Sequence, residues 1–198
     1  WSKFSSAAWT HDDAGFFYGR YPEPPADAAH GAPNRGMELR YHRLGTDPAD
    51  DRLVFATPDQ PEWIYDEFEV SEDGRLLVVT VAHGTDPKNR IYVADLAHGV
   101  EAAIVRPLLD AADAHYAPVA TVDGRLYLLT DRDAPLGRVI AVDVDDPNHP
   151  REIIPEGDDA LERARLVGNR LAAVYLHQAQ HRRAIFEPDG RHVVDVAL

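Results

Sequence analysis

The segment His177-Gln178-Ala179-Gln180-His181 puts two imidazoles four residues apart, the separation at which two ligands share one helix face. A zinc peptidase of that pattern needs a Glu after the first His as its general base, and this chain has Gln178 there. On a fully extended strand the pair would stand about 13 Å apart, too far for one ion. Both therefore read as exposed histidines. A serine nucleophile needs its hydroxyl raised on a tight turn, with Gly two positions to either side and a His in reach. Ser2, Ser5, Ser6 and Ser71 are the serines, none is so flanked, and Ser71 reads as a local turn hydrogen bond. The absence of cysteine removes thiolate nucleophiles, disulfides and thiolate metal sites. The acidic runs DPADD (47–51) and DVDDPN (143–148) lack the alternating carboxylates, Gly and distal Glu of a calcium loop, and read as solvated turns. No metal or other cofactor is expected, and no catalytic residue.

The elements that would position any site repeat. EDGRLLVVTVAHG (72–84) is followed about fifty positions later by VDGRLYLLTDRDA (122–134), so that Asp73, Gly74, Arg75, Leu76 and Thr80 recur as Asp123, Gly124, Arg125, Leu126 and Thr130. Around these lie four passes of strand, turn, strand. The third strands begin near Leu39, Ile91, Val139 and Ala184, in steps of roughly 45 to 52. That is the length of a four-stranded propeller blade. LLVVTV is apolar at successive positions, which implies a strand buried on both faces, as a blade between two others requires. The expected fold is all-β, a β-propeller of four-stranded antiparallel blades at about 1–58, 59–110, 111–157 and 158–198. A helical reading stays open for DALERARL (159–166) and LAAVYLHQAQHRRA (171–184), whose residues are good helix formers. A Pro- and Ala-rich stretch from Pro22 to Gly36 reads as an exposed loop.

With 20 basic and 34 acidic side chains the net charge is −14, which repels phosphate backbones and anionic membranes and argues against either as partner. No apolar run approaches the ~18 residues that span a bilayer, and no signal segment opens the chain. The cytoplasm is the expected compartment, with the periplasm as alternative. Sialidase-type Asp boxes are absent: at THDDAG the Gly falls one place late, and after SEDGR the Trp is missing.

Three stretches carry a resemblance: KFSSAAWTHDDAGFFYGRYP (3–22), RYHRLGTD (40–47) with PEW (61–63), and SEDGR through HGTDPKNRIYVADL (71–96). They resemble the propeller domain of the prolyl oligopeptidase family, serine peptidases that cleave short peptides after proline. The second half follows mainly through strand spacing. The resemblance implies a seven-bladed propeller capping an α/β-hydrolase domain that holds the Ser, Asp and His of the triad. About four blades of the seven would be present here, and the first residue, Trp1, suits an internal portion. The implied partners are that catalytic domain in the same full-length chain and short proline-containing peptides. The implied role is to admit small peptides and keep folded proteins out, the chain alone being inactive. The resemblance also implies substrate-pocket contacts at Phe4, Ile64 and Thr85. Family members commonly carry Met and Cys at the second and third of these, and an Arg found nearby is replaced around Ala82 and His83. Core packing for Phe4 and Ile64, and a plain turn for Thr85, are the competing readings. A stand-alone propeller that binds protein partners is the alternative function, and caps of dipeptidyl or acylaminoacyl peptidases are a further one.

Overall fold

The computed structural model describes residues 2, 6–23 and 34–196. Sixteen strands follow in order: β1 Ala7–Trp9, β2 Gly15–Arg20, β3 Glu38–Arg43, β4 Arg52–Ala56, β5 Trp63–Val70, β6 Leu76–His83, β7 Asn89–Asp95, β8 Arg106–Leu109, β9 Tyr116–Val122, β10 Arg125–Thr130, β11 Arg138–Asp143, β12 Arg151–Ile154, β13 Ala160–Val167, β14 Arg170–His177, β15 Gln180–Phe186 and β16 His192–Val196. They form four antiparallel meanders, β1–β4, β5–β8, β9–β12 and β13–β16, each with its strands in chain order. Two short 3₁₀ turns, Pro48–Asp50 and Val100–Ala102, are the helical content of the described residues.

The helical reading of 159–184 is overturned. Val167 pairs with Arg170 across a two-residue loop that Gly168 enters at φ +60°, and β14 then pairs with both β13 and β15. Register against two neighbours outweighs a helix propensity worth a few tenths of a kcal/mol per residue.

The two Asp-Gly copies make different turns. Asp123 and Gly124 both take positive φ, +49° and +75°, and close a two-residue hairpin between Val122 and Arg125. The earlier copy is longer, running from Ser71 to Arg75 with Gly74 at φ +72°. Ser71 accounts for the extra length: its hydroxyl donates to Asp73 Oδ1 at 2.6 Å and accepts the Leu76 N–H at 2.9 Å.

The chain divides into two compact units, Trp1–Ala111 and Ala112–Leu198. In the first, Phe17, Leu39 and Tyr41 pack with Leu77, Val79, Val81 and Tyr65. In the second, Leu171, Ala173 and Phe186 pack with Val139, Ala141 and Ile154. Each fully buried side chain of this size contributes about 1.5–3 kcal/mol. As the run LLVVTV implies, β6 is buried at every position from Leu76 to Ala82. β14 is not: Leu171, Ala173 and Tyr175 are buried, while Ala172 and Val174 are only half covered.

Bulges recur with the meanders. The register skips Asp66 in β5, Val119 in β9 and Glu162 in β13, and Val54, Leu108, Ile153 and Val193 in the last strands. Each extra residue sharpens the local twist and turns one side chain away from the pairing pattern.

Candidate functional site

Sheet β5–β8 places two of the three expected pocket residues at one end. Ile64 stands near the start of β5, opposite Ala82 of β6, and Thr85 lies on the exposed turn that follows β6. Phe4 lies outside the described residues. Gly84 takes φ +58° in that turn, Asp86 N–H bonds the His83 carbonyl, and Lys88 N–H bonds Asp86 Oδ1. The turn is held by its own backbone and by the Asp86 carboxylate, and Thr85 is exposed on it.

Ile64 is half-buried against the core and lines a cavity of about 340 Å³ with Tyr21, Asn34, Met37, Tyr65 and Asp66. Segment 34–37, which forms one wall, is laced to the start of β5. Gly36 N–H donates to the Pro61 carbonyl at 2.7 Å, Arg35 meets Glu62 at 2.5 Å, and the buried Tyr65 N–H takes Met37 Sδ as acceptor at 3.2 Å. The Tyr65 hydroxyl is within 3.2 Å of Thr57 Oγ1. Burial pushes the pKa values of Tyr21 and Tyr65 up, so both walls stay neutral at physiological pH.

Charged side chains gather around the start of β5. Glu62 is shared between Arg35 and His83, whose Nε2 is 3.3 Å from the carboxylate. All three are more than half exposed, so each pair is worth at most about 1 kcal/mol. The Arg90 guanidinium lies 4.3 Å over the Trp63 ring and reaches Asp110 at 3.4 Å. Asp66, set out of register by the β5 bulge, has no hydrogen bond or ion pair among the described residues.

The other sequence candidates fall elsewhere. His177 faces Gln180 across a two-residue turn, His181 follows one position further along β15, and each histidine takes a separate carboxylate, Asp159 at 2.7 Å and Glu162 at 3.0 Å. The extended spacing does not apply, because Gln178 and Ala179 fold the chain back at φ +47° and +62°. Both histidines are exposed, as expected.

DPADD is exposed from Asp47 to Asp50, as a solvated turn should be, and ends on one buried residue, Asp51. Asp51, whose side chain is 1% exposed, accepts the Tyr18 hydroxyl at 2.6 Å and meets His42 Nδ1 at 2.7 Å. These groups line a second cavity of about 480 Å³ on sheet β1–β4, with Phe16 and Arg20. Burial, then the Asp51 carboxylate, pushes the Tyr18 pKa up. Nothing in the local sequence marks Asp51 among its acidic neighbours, since its partners come from β2 and β3.

The sequence model of the family described as prolyl oligopeptidase, N-terminal beta-propeller domain, matches residues 1–198. The dual function macrocyclase-peptidase POPB of Galerina marginata is 35% identical over 81% of this chain and 22% of its own length. The prolyl endopeptidase of Dictyostelium discoideum is 30% identical over 100% of this chain and 29% of its own. Among solved structures, prolyl oligopeptidase B from Galerina marginata, bound to a 35mer hydrolysis and macrocyclization substrate, superimposes with a TM-score of 0.89 at 29% identity, covering 100% of this chain and 27% of that one. A structure from a study of two prolyl endopeptidases and their inter-domain dynamics gives 0.88 at 34% identity, covering 100% and 28%. The four four-stranded sheets thus have the β-propeller fold of these proteins, and the chain spans less than a third of their length. Among the described residues no helix is long and apolar enough to cross a membrane.

Proposed function

The chain belongs to the prolyl oligopeptidase family as its N-terminal β-propeller domain, and from that premise we propose that it is the gating portion of a serine-type prolyl endopeptidase. In this reading an α/β-hydrolase domain of the same full-length chain supplies the nucleophile, base and oxyanion hole. The propeller portion admits short peptides and walls one side of their pocket through Phe4, Ile64 and Thr85. The observation that carries it is the match of residues 1–198, end to end, to the propeller domain of peptidases. The cavity at Ile64 supports the pocket assignment, because an apolar wall beside an open mouth is what a proline-containing peptide requires.

In the protein made from the complete reading frame, Ile64→Ala removes apolar wall without touching any reacting group. It should raise KM for a post-proline reporter peptide about 10-fold, with kcat changed much less. Thr85→Val should shift KM in a peptide-dependent way. Values of kcat/KM within twofold of the parent for both variants, across a panel of proline peptides, would return Ile64 to core packing and Thr85 to a plain turn.

A further inference from the structure

We infer that Asp66 is the anionic end of a subsite that takes a cationic group of the peptide, the side chain of a Lys or Arg. The inference rests on the reading that this end of sheet β5–β8 faces substrate. The β5 bulge withdraws Asp66 from cross-strand pairing and places it among the residues of the cavity with Ile64, Tyr65, Met37 and Tyr21. The bulge itself does not require a carboxylate, since β9 carries Val119 at the corresponding skip. Where a carboxylate does recur, at Glu162 of β13, His181 meets it at 3.0 Å. Asp66 has no such partner among the described residues. The cations around the start of β5 meet other groups, Arg35 meeting Glu62, and Arg90 meeting Asp110 and the Trp63 ring.

The walls complete the chemistry. Met37, Ile64 and the two tyrosines give an apolar and aromatic surface that carries no charge, and the charge among the described residues that line the cavity is the exposed Asp66 carboxylate. A Lys or Arg side chain has the matching form, an apolar stem that lies along such a surface and a charged head that needs a carboxylate. The volume, about 340 Å³, is at the low end of ligand pockets, which run from about 300 to 1,000 Å³. It suits one side chain, not a folded segment.

The test uses the protein from the complete reading frame, the variants Asp66→Asn and Asp66→Glu, and proline peptides in which Lys, Arg, norleucine or citrulline is moved through the flanking positions. Both turnover and binding, by fluorescence anisotropy of labelled peptide, are measured. At one position the Lys and Arg peptides should lose about 10-fold in affinity and in kcat/KM on Asp66→Asn, as expected for a charge-assisted hydrogen bond. The norleucine and citrulline peptides should change less than twofold, Asp66→Glu should restore part of the difference, and high salt should shrink it. Equal losses for charged and neutral peptides, or no loss at any position, overturn the inference. Absence of cleavage after proline by the parent protein counts against the proposed function alone. The binding arm still decides the subsite.

Discussion

Gly190 sits at the end of Glu187-Pro188-Asp189-Gly190, a turn closed by the Gly190 N–H on the Glu187 carbonyl, with Pro and Gly where a type I turn favours them. The turn docks on sheet β9–β12: Tyr127 donates its hydroxyl to the Pro188 carbonyl at 3.0 Å, and Arg151 reaches the Asp189 carbonyl. At φ +94°, a Cβ on residue 190 would stand 1.9 Å from the Ile153 carbonyl oxygen and 2.8 Å from its carbon. Gly190→Ala therefore costs both backbone strain, about 1–2 kcal/mol, and displacement of main chain in a packed region, about 1–3 kcal/mol. Gly168→Ala is the matched control, with φ +60° and nothing within 4 Å of the new Cβ, so only the strain applies. Urea unfolding followed by far-ultraviolet circular dichroism reads both variants. Tryptophan fluorescence does not serve, because Trp1, Trp9 and Trp63 all belong to the first unit. Gly190→Ala should lose about 2 kcal/mol more than Gly168→Ala. Equal losses would mean that the Gly190 turn does not approach the Ile153 backbone as described.

The loop Gln178-Ala179 takes positive φ at both positions without a glycine, so the double variant Gln178→Asn, Ala179→Gly should gain about 1 kcal/mol in urea titrations, and a loss would contradict the turn geometry. Ser71→Ala removes the bond that satisfies the buried Leu76 N–H and should cost about 1–2 kcal/mol at neutral pH. The Ser71 hydroxyl, ahead of all other causes, holds the exposed Asp73 carboxyl below its usual range. That contribution is present above the ordinary carboxylate pKa and is lost as pH falls, so the deficit of the variant should narrow in acid, and a deficit independent of pH would refute the assignment. Seven tyrosines, Tyr18, Tyr21, Tyr65, Tyr92, Tyr116, Tyr127 and Tyr175, have pKa values raised, with burial as the leading cause. Folding thus favours the neutral phenol, stability is complete below the ordinary value of 10.0 and falls above it, and tyrosinate absorbance should rise together with loss of circular dichroism. Tyrosinate forming well before unfolding would show these rings to be accessible.

The architecture was legible because it is written in local chemistry. Asp-Gly pairs, apolar runs and a repeat near fifty residues placed all four meanders, and strand spacing carried the last quarter against its helix propensity. Two-sided burial was legible for Leu76–Ala82 but not for Leu171–Leu176, since an apolar run reports that a strand tolerates burial, not that something covers it. The bulges left no mark. A skipped residue is fixed by twist and by the partner strand, and Asp66, Val119 and Glu162 share no residue type. For the same reason Asp66 and Asp51 could not be singled out among 34 acidic side chains, one distinguished by its place in a bulge beside the Ile64 cavity and the other by two side-chain partners from β2 and β3. The resemblance led to Ile64 and Thr85 by alignment alone. The lacing of residues 34–37 onto β5, which shapes the cavity at Ile64, depends on Met37 and Arg35 at the edge of the Pro- and Ala-rich stretch, where sequence periodicity has nothing to offer.

The measurement that bears most directly on the proposed role is mass spectrometry of a short proline-containing peptide incubated in parallel with the complete protein and with residues 1–198 alone. The account predicts cleavage on the carboxyl side of proline by the complete protein, sensitive to a serine-directed inhibitor, and an intact peptide with the 198-residue chain. An intact peptide in both, or cleavage by residues 1–198 on their own, would contradict it.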